Sequence, residues 1–202
     1  MGRIEKFIAN PASTGGLGHM FENKVQSSFV LLMIAGGYIP CLPAWPIHKV
    51  KLQGRYQGSK TDDFIVYTEN PATKEKAKLL GQINRHLTVT LTDNDFKKTI
   101  AAAWRDFTDP ELFNEGLDSI VLVTGPLSLI DTTAVRVLIQ HAKYAEDSED
   151  FICRITHTNF SSDAQRTKFE VFKAALQSAN SGNALSDDML WRFFQYLNGH
   201  GM

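Results

Sequence analysis

The chain has 202 residues, 43% hydrophobic and 21% charged, with a net charge of −1. This is the range of an ordinary soluble globular protein, long enough for one substantial core. No global basic field announces a nucleic-acid partner, although a local groove can be basic on a neutral protein.

The longest apolar run, FVLLMIAGG, is too short to span a bilayer, and no signal-type segment precedes it, so no membrane association is expected. Cys41 and Cys153 lie far apart and make no metal or disulfide framework, which fits a reducing, cytoplasmic setting.

In chain order, residues 10–20 are a turn-rich lead-in, and MFENKVQSSFVLLMIA has the period of a helix stopped by Gly36–Gly37. Phe21, Val25, Ser28 and Leu32 form one stripe of it, and Glu22 and Gln26 begin the next. The prolines of PCLPAWP exclude a regular element. IHKVKLQ alternates as a strand with His48, Val50 and Leu52 on one face, GRYQGSKT turns the chain, and DFIVYTE is a second strand. After the turn NPATKEK, LLGQINRHLTVTL reads as a longer third strand, and DNDFKKTIAAAWRDF as a helix capped by Asp93 or Asp95.

DSIVLVTGPL is a nearly unbroken apolar run, as expected of a fully buried central strand. DTTAVRVLIQHAKYA follows as a helix capped near Asp131, and KYAEDSED reads as its solvated acidic end. Two more helices are expected in DAQRTKFEVFKAALQSANSG and SDDMLWRFFQYL, with no evident closing element in YLNGHGM. The order α-β-β-β-α-β implies a mixed sheet with helices on its faces. Its first three strands can form an antiparallel meander, with the fourth arriving by a helical crossover.

Side-chain alternation puts Gln82, Asn84, His86, Thr88 and Thr90 on one face of the third strand, and Ile83, Arg85, Leu87, Val89 and Leu91 on the other. The apolar set is expected to face the core and the polar set to face water or a site. Asp62 and Asp63 cannot point the same way. Asp63, sharing a face with Ile65 and Tyr67, is favoured to meet Gln82, with Asp62 as the alternative. The glycines of STGGLGH lack the Gly-Lys-Ser/Thr ending of a phosphate loop, and the six histidines show no zinc spacing. Trp104, Phe107 and Phe113 read as core anchors.

An acidic residue on the second strand followed by Gln-x-Asn on the third resembles the PD-(D/E)XK nuclease superfamily in its Gln-x-Lys branch. More closely, GGLGHMFENKVQSSF, TDDFIVY, LLGQIN and DSIVLVTGPLS resemble the double-strand DNA endonuclease domain at the N-terminus of antiviral STAND NTPases. That domain type also serves as effector in cyclic-nucleotide antiphage systems. The resemblance implies a restriction-endonuclease-like αβββαβ core over residues 1–160, with a helical extension over 161–202 leading toward a regulatory region. It also implies a cytoplasmic, Mg2+-dependent endonuclease (Mn2+ being the alternative ion) that cuts double-stranded DNA and oligomerises through a C-terminal NTPase and sensor region.

The same resemblance makes Asp63 the main metal ligand, supported by the Gln82 amide oxygen and the Ile83 carbonyl, with Glu22 holding a metal-bound water or a second ion. Lys49, Lys51, Arg55 and Lys60 are candidate phosphate contacts or a solvated strand face. The chain departs from the family at Asn84, where a catalytic lysine is expected. Asparagine has no charge and no useful pKa for proton transfer, and loss of such a group typically costs ~10²–10⁴ in rate. Asn84 reads either as a natural pseudo-site or as a lysine replaced to silence a toxic nuclease, and the intact ligand positions favour the second. The competing functional reading is a catalytically dead DNA- or partner-binding domain of the same fold.

Overall fold

The computed structural model describes residues 17–52 and 63–201, so Arg55, Lys60 and Asp62 lie outside the described residues. The elements are α1 (Leu17–Ile34), β1 (Ile47–Leu52), β2 (Phe64–Glu69), β3 (Lys76–Asn84), α2 (Asn94–Phe107), β4 (Ser119–Thr124), α3 (Leu129–Tyr144), α4 (Ser148–Thr156), α5 (Asp163–Ala179), α6 (Asp187–Tyr196) and β5 (Leu197–Gly201). They form an α/β fold: an N-terminal helix, a mixed five-stranded sheet and a series of C-terminal helices. No described helix is long and apolar enough to cross a membrane.

The strand order is β1-β2-β3-β4-β5. β1–β2 and β2–β3 are antiparallel, and β3–β4 and β4–β5 are parallel. The meander and the crossover through α2 match expectation. Every residue of β4 is buried, because helices cover one face of the sheet and α1 with the 38–46 crossing covers the other. The larger core lies under α2 to α6, with Trp104, Phe107 and Phe113 buried in it as anchors. The smaller core unites Val25 of α1 with Phe64, Val66, Leu79, Val121 and Val123.

Several local readings are corrected. β3 ends at Asn84, so His86, Thr88 and Thr90 lie on irregular chain rather than on a strand face. Asp93 explains the break: its carboxylate accepts from the N–H of Thr88 at 2.7 Å and from the N–H of Asp95 at 2.8 Å, joining the loop to the start of α2. The face assignment also changes, because both faces of β3 are covered. Gln82 and Asn84 share the face of Leu80, under the larger core, whereas Ile83 packs on the α1 side.

In β1, the register shifts between Ile47 and Lys49 and His48 is exposed; of the three expected to share a face only Val50 packs inward, since Leu52 is exposed at the strand end. α3 is capped by Ser128, not Asp131, which is buried in an ion pair with Lys168 at 2.6 Å. Finally, the acidic stretch after α3 opens a separate helix, α4, capped by Asp147, and the closing element is β5, paired with β4.

Candidate functional site

β2 and β3 pair only as far as Phe64 opposite Gly81. The contact there is close: a Cβ on Gly81 would lie 2.0 Å from the Phe64 ring, so the ring occupies the space a side chain would need and fixes the register. One residue further, Asp63 comes opposite Gln82, and the backbone ladder stops. The Asp63 carboxylate takes its place, Oδ2 accepting from Ile83 N–H at 2.5 Å and from Gln82 Nε2 at 2.6 Å. Alternation along β3 sends the Ile83 carbonyl to the same edge as its N–H. This strand end is therefore a fork with a carboxylate held across it.

α1 reaches the fork from the other layer. Gln26, only 8% exposed, donates from Nε2 to Glu22 Oε1 at 3.0 Å and to the Asp63 main-chain carbonyl at 3.1 Å. His19 Nδ1 lies 3.9 Å from the second Glu22 oxygen. A continuous hydrogen-bonded chain thus runs Glu22–Gln26–Asp63–Gln82, joining α1, the entry to β2 and the end of β3. The sequence reading singled out Glu22, Asp63 and Gln82 but not the role of Gln26. The available signal was its spacing four residues after Glu22 on one helix face.

Asn84 points to the same side of β3 as Gln82, but its Nδ2 donates to Thr99 Oγ1 of α2 at 3.1 Å. Lys49 and Lys51 of β1 share the sheet face of Asp63, and their ammonium groups lie 5.9 and 5.6 Å from the centroid of the Tyr67 ring. Burial pushes the Tyr67 hydroxyl above its ordinary pKa, and the nearby Asp118 charge adds to it, so the ring stays a neutral platform for both cations.

The oxygen donors at the fork suit a hard divalent cation, which commonly takes one or two carboxylates and completes its shell with water and phosphate. Among the described residues no three His, Cys, Asp or Glu side chains gather into a metal cage. An ion at the fork would rest on Asp63, the Ile83 carbonyl, Gln82 and Glu22. Ligation by Gln82 requires its amide to turn over, because its NH2 group faces Asp63. Comparison of the chain with family models, curated proteins and solved structures gave no match.

Proposed function

We propose that the chain is a PD-(D/E)XK-type nuclease domain with a restriction-endonuclease-like core, built to hydrolyse phosphodiester bonds of double-stranded DNA. The observation that carries the reading is the Asp63 carboxylate held across the β2–β3 fork by Gln82 and Ile83, with Glu22 tied in through Gln26. Mg2+ bound there would polarise the phosphate and lower the pKa of a coordinated water. Asp63 orients the ion-binding face, Gln26 holds Glu22 toward it, and Lys49 and Lys51 offer positive charge on the same sheet face. The role in bacterial antiviral defence and the assembly through an NTPase region rest on the sequence resemblance alone.

Asn84 gives the proposal its test. A lysine at 84 shares a strand face with Gln82 and supplies the missing charge and proton-transfer group. The variant N84K is expected to cut supercoiled plasmid in Mg2+ about 10²–10⁴ times faster than the parent. Chelation or a further D63N change should abolish the cut. An N84K protein that never cleaves, even in the assembled full-length form, would sink the enzyme reading.

The second reading, a DNA-binding domain without catalysis, is favoured by one contact: the Asn84 amide is engaged by Thr99 of the scaffold. It predicts salt-dependent duplex binding by the parent chain, with a log–log slope reduced by about 2 in K49Q/K51Q.

A further inference from the structure

A second concave feature lies on the same sheet face, on the other side of Asn84. The carboxyl half of β4, the start of β5, the chain leaving β3, and one side of α3 enclose a cavity of about 340 Å³. Its walls are apolar, formed by Leu87, Phe96, Leu122, Ile139 and Phe172 among others. Its size is in the range of small-molecule sites, and it lies between α3 and the sheet face.

The mouth is chemically different from the walls. Arg136, Gln140 and Lys143 follow one another on α3 at spacings of four and three residues, which places them in one line along the opening. Among the described residues no Asp or Glu lines the cavity. Lys143 Nζ is turned toward β5 by a hydrogen bond to Asn198 Oδ1 at 2.5 Å. Arg136 makes no ion pair or side-chain hydrogen bond among the described residues, whereas Arg154, Arg166 and Arg192 each pair with a carboxylate. A cation without a partner among the described residues at the rim of an apolar cavity, with a second cation two turns further along the same helix, is complementary to a ligand with one apolar body and one negative end.

We infer that this cavity binds a small amphipathic anion of the medium-chain carboxylate class. The chain lies against Leu122, Ile139 and Phe172, and the carboxylate meets the Arg136 guanidinium with Lys143 beside it. None of Glu22, Asp63 and Gln82 lines the cavity, so the inference stands apart from the nuclease reading.

The test is titration of the full chain with decanoate and, separately, with decanol, followed by calorimetry and by the methyl resonances of Leu122 and Ile139. Decanoate should bind saturably at one site, shift those methyls, and bind about tenfold more tightly than decanol. R136Q, an exposed change, should weaken decanoate about tenfold and leave decanol unchanged. V135F fills the cavity from α3 and should remove binding of both, provided its circular dichroism matches the parent. The inference is overturned by no saturable binding to the folded parent, by equal affinity for the two probes, or by methyl shifts that avoid the cavity. It is also overturned if R136Q binds decanoate as the parent does.

Discussion

Replacing Gln26 with leucine removes a side chain that hydrogen-bonds α1 to the fork. The amide is buried and makes two hydrogen bonds, one to a carboxylate and one to a main-chain carbonyl. A bond to a charged group contributes ~1.5–3 kcal/mol and a neutral one ~0.5–1.5 kcal/mol. The Glu22 side chain is 30% exposed, so water replaces much of its loss. The Asp63 carbonyl is left to the leucine, whose burial offsets part of the cost.

The net destabilisation is about 2 kcal/mol, which in a chain of this size lowers the thermal midpoint by about 4–8 °C. Q26E sharpens the test. At neutral pH it sets a second carboxylate one turn from Glu22 and should lose more than Q26L. Below about pH 4, where the new carboxyl takes up a proton and donates again, its deficit should shrink. Differential scanning calorimetry from about pH 3 to 8 reads both effects. A Q26L midpoint within about 1 °C of the parent, or a Q26E deficit independent of pH, refutes the bridging role.

Three further outcomes follow from the surroundings of the site. In G125A the new Cβ would lie 2.3 Å from the Arg85 carbonyl oxygen, a backbone atom that cannot move aside, so the urea midpoint should fall by the upper end of the ~1–3 kcal/mol overpacking range or beyond. K168M leaves Asp131 as an unpaired buried carboxylate and should cost ~3–5 kcal/mol, whereas K168M/D131L should recover most of it in a double-mutant cycle. His141 has its pKa pushed down by burial, with Arg154 pushing the same way and the Phe160 carbonyl and Asp150 opposing. Its Nε2 has no hydrogen-bond partner among the described residues. The unfolded chain therefore holds that proton more readily, and stability falls as pH drops through the ordinary histidine range near ~6.5. H141Q should flatten this slope in midpoints measured between pH 5 and 7.5.

Alternation was enough to favour Asp63 over Asp62, because period two is a property of the backbone, but the register that sets Asp63 opposite Gln82 comes from the fold. The same rule misled beyond Asn84. Thr88, Val89 and Thr90 keep an alternating pattern, yet Asp93 binds the Thr88 N–H, and Lys168, which no local window of sequence brings near, binds the Val89 carbonyl at 2.8 Å. β5 was invisible for the opposite reason. LNGHG has no strand composition of its own and is extended because β4 offers it a parallel partner. Asp131 looked like a helix cap, but its partner Lys168 lies on α5 and is brought to it by the fold alone.

The closure of the β2–β3 ladder by a side chain has one more consequence. A carboxylate oxygen that replaces a peptide carbonyl in the sheet is already engaged before any ligand arrives. A cation or other ligand that takes Oδ2 at the fork competes with the last hydrogen bonds of the sheet. Fraying of that strand end and capture of the ligand are then a single linked equilibrium. Stability and affinity at Asp63 stand in opposition: changes that tighten the strand end raise the free energy a ligand must overcome, and changes that loosen it lower that cost.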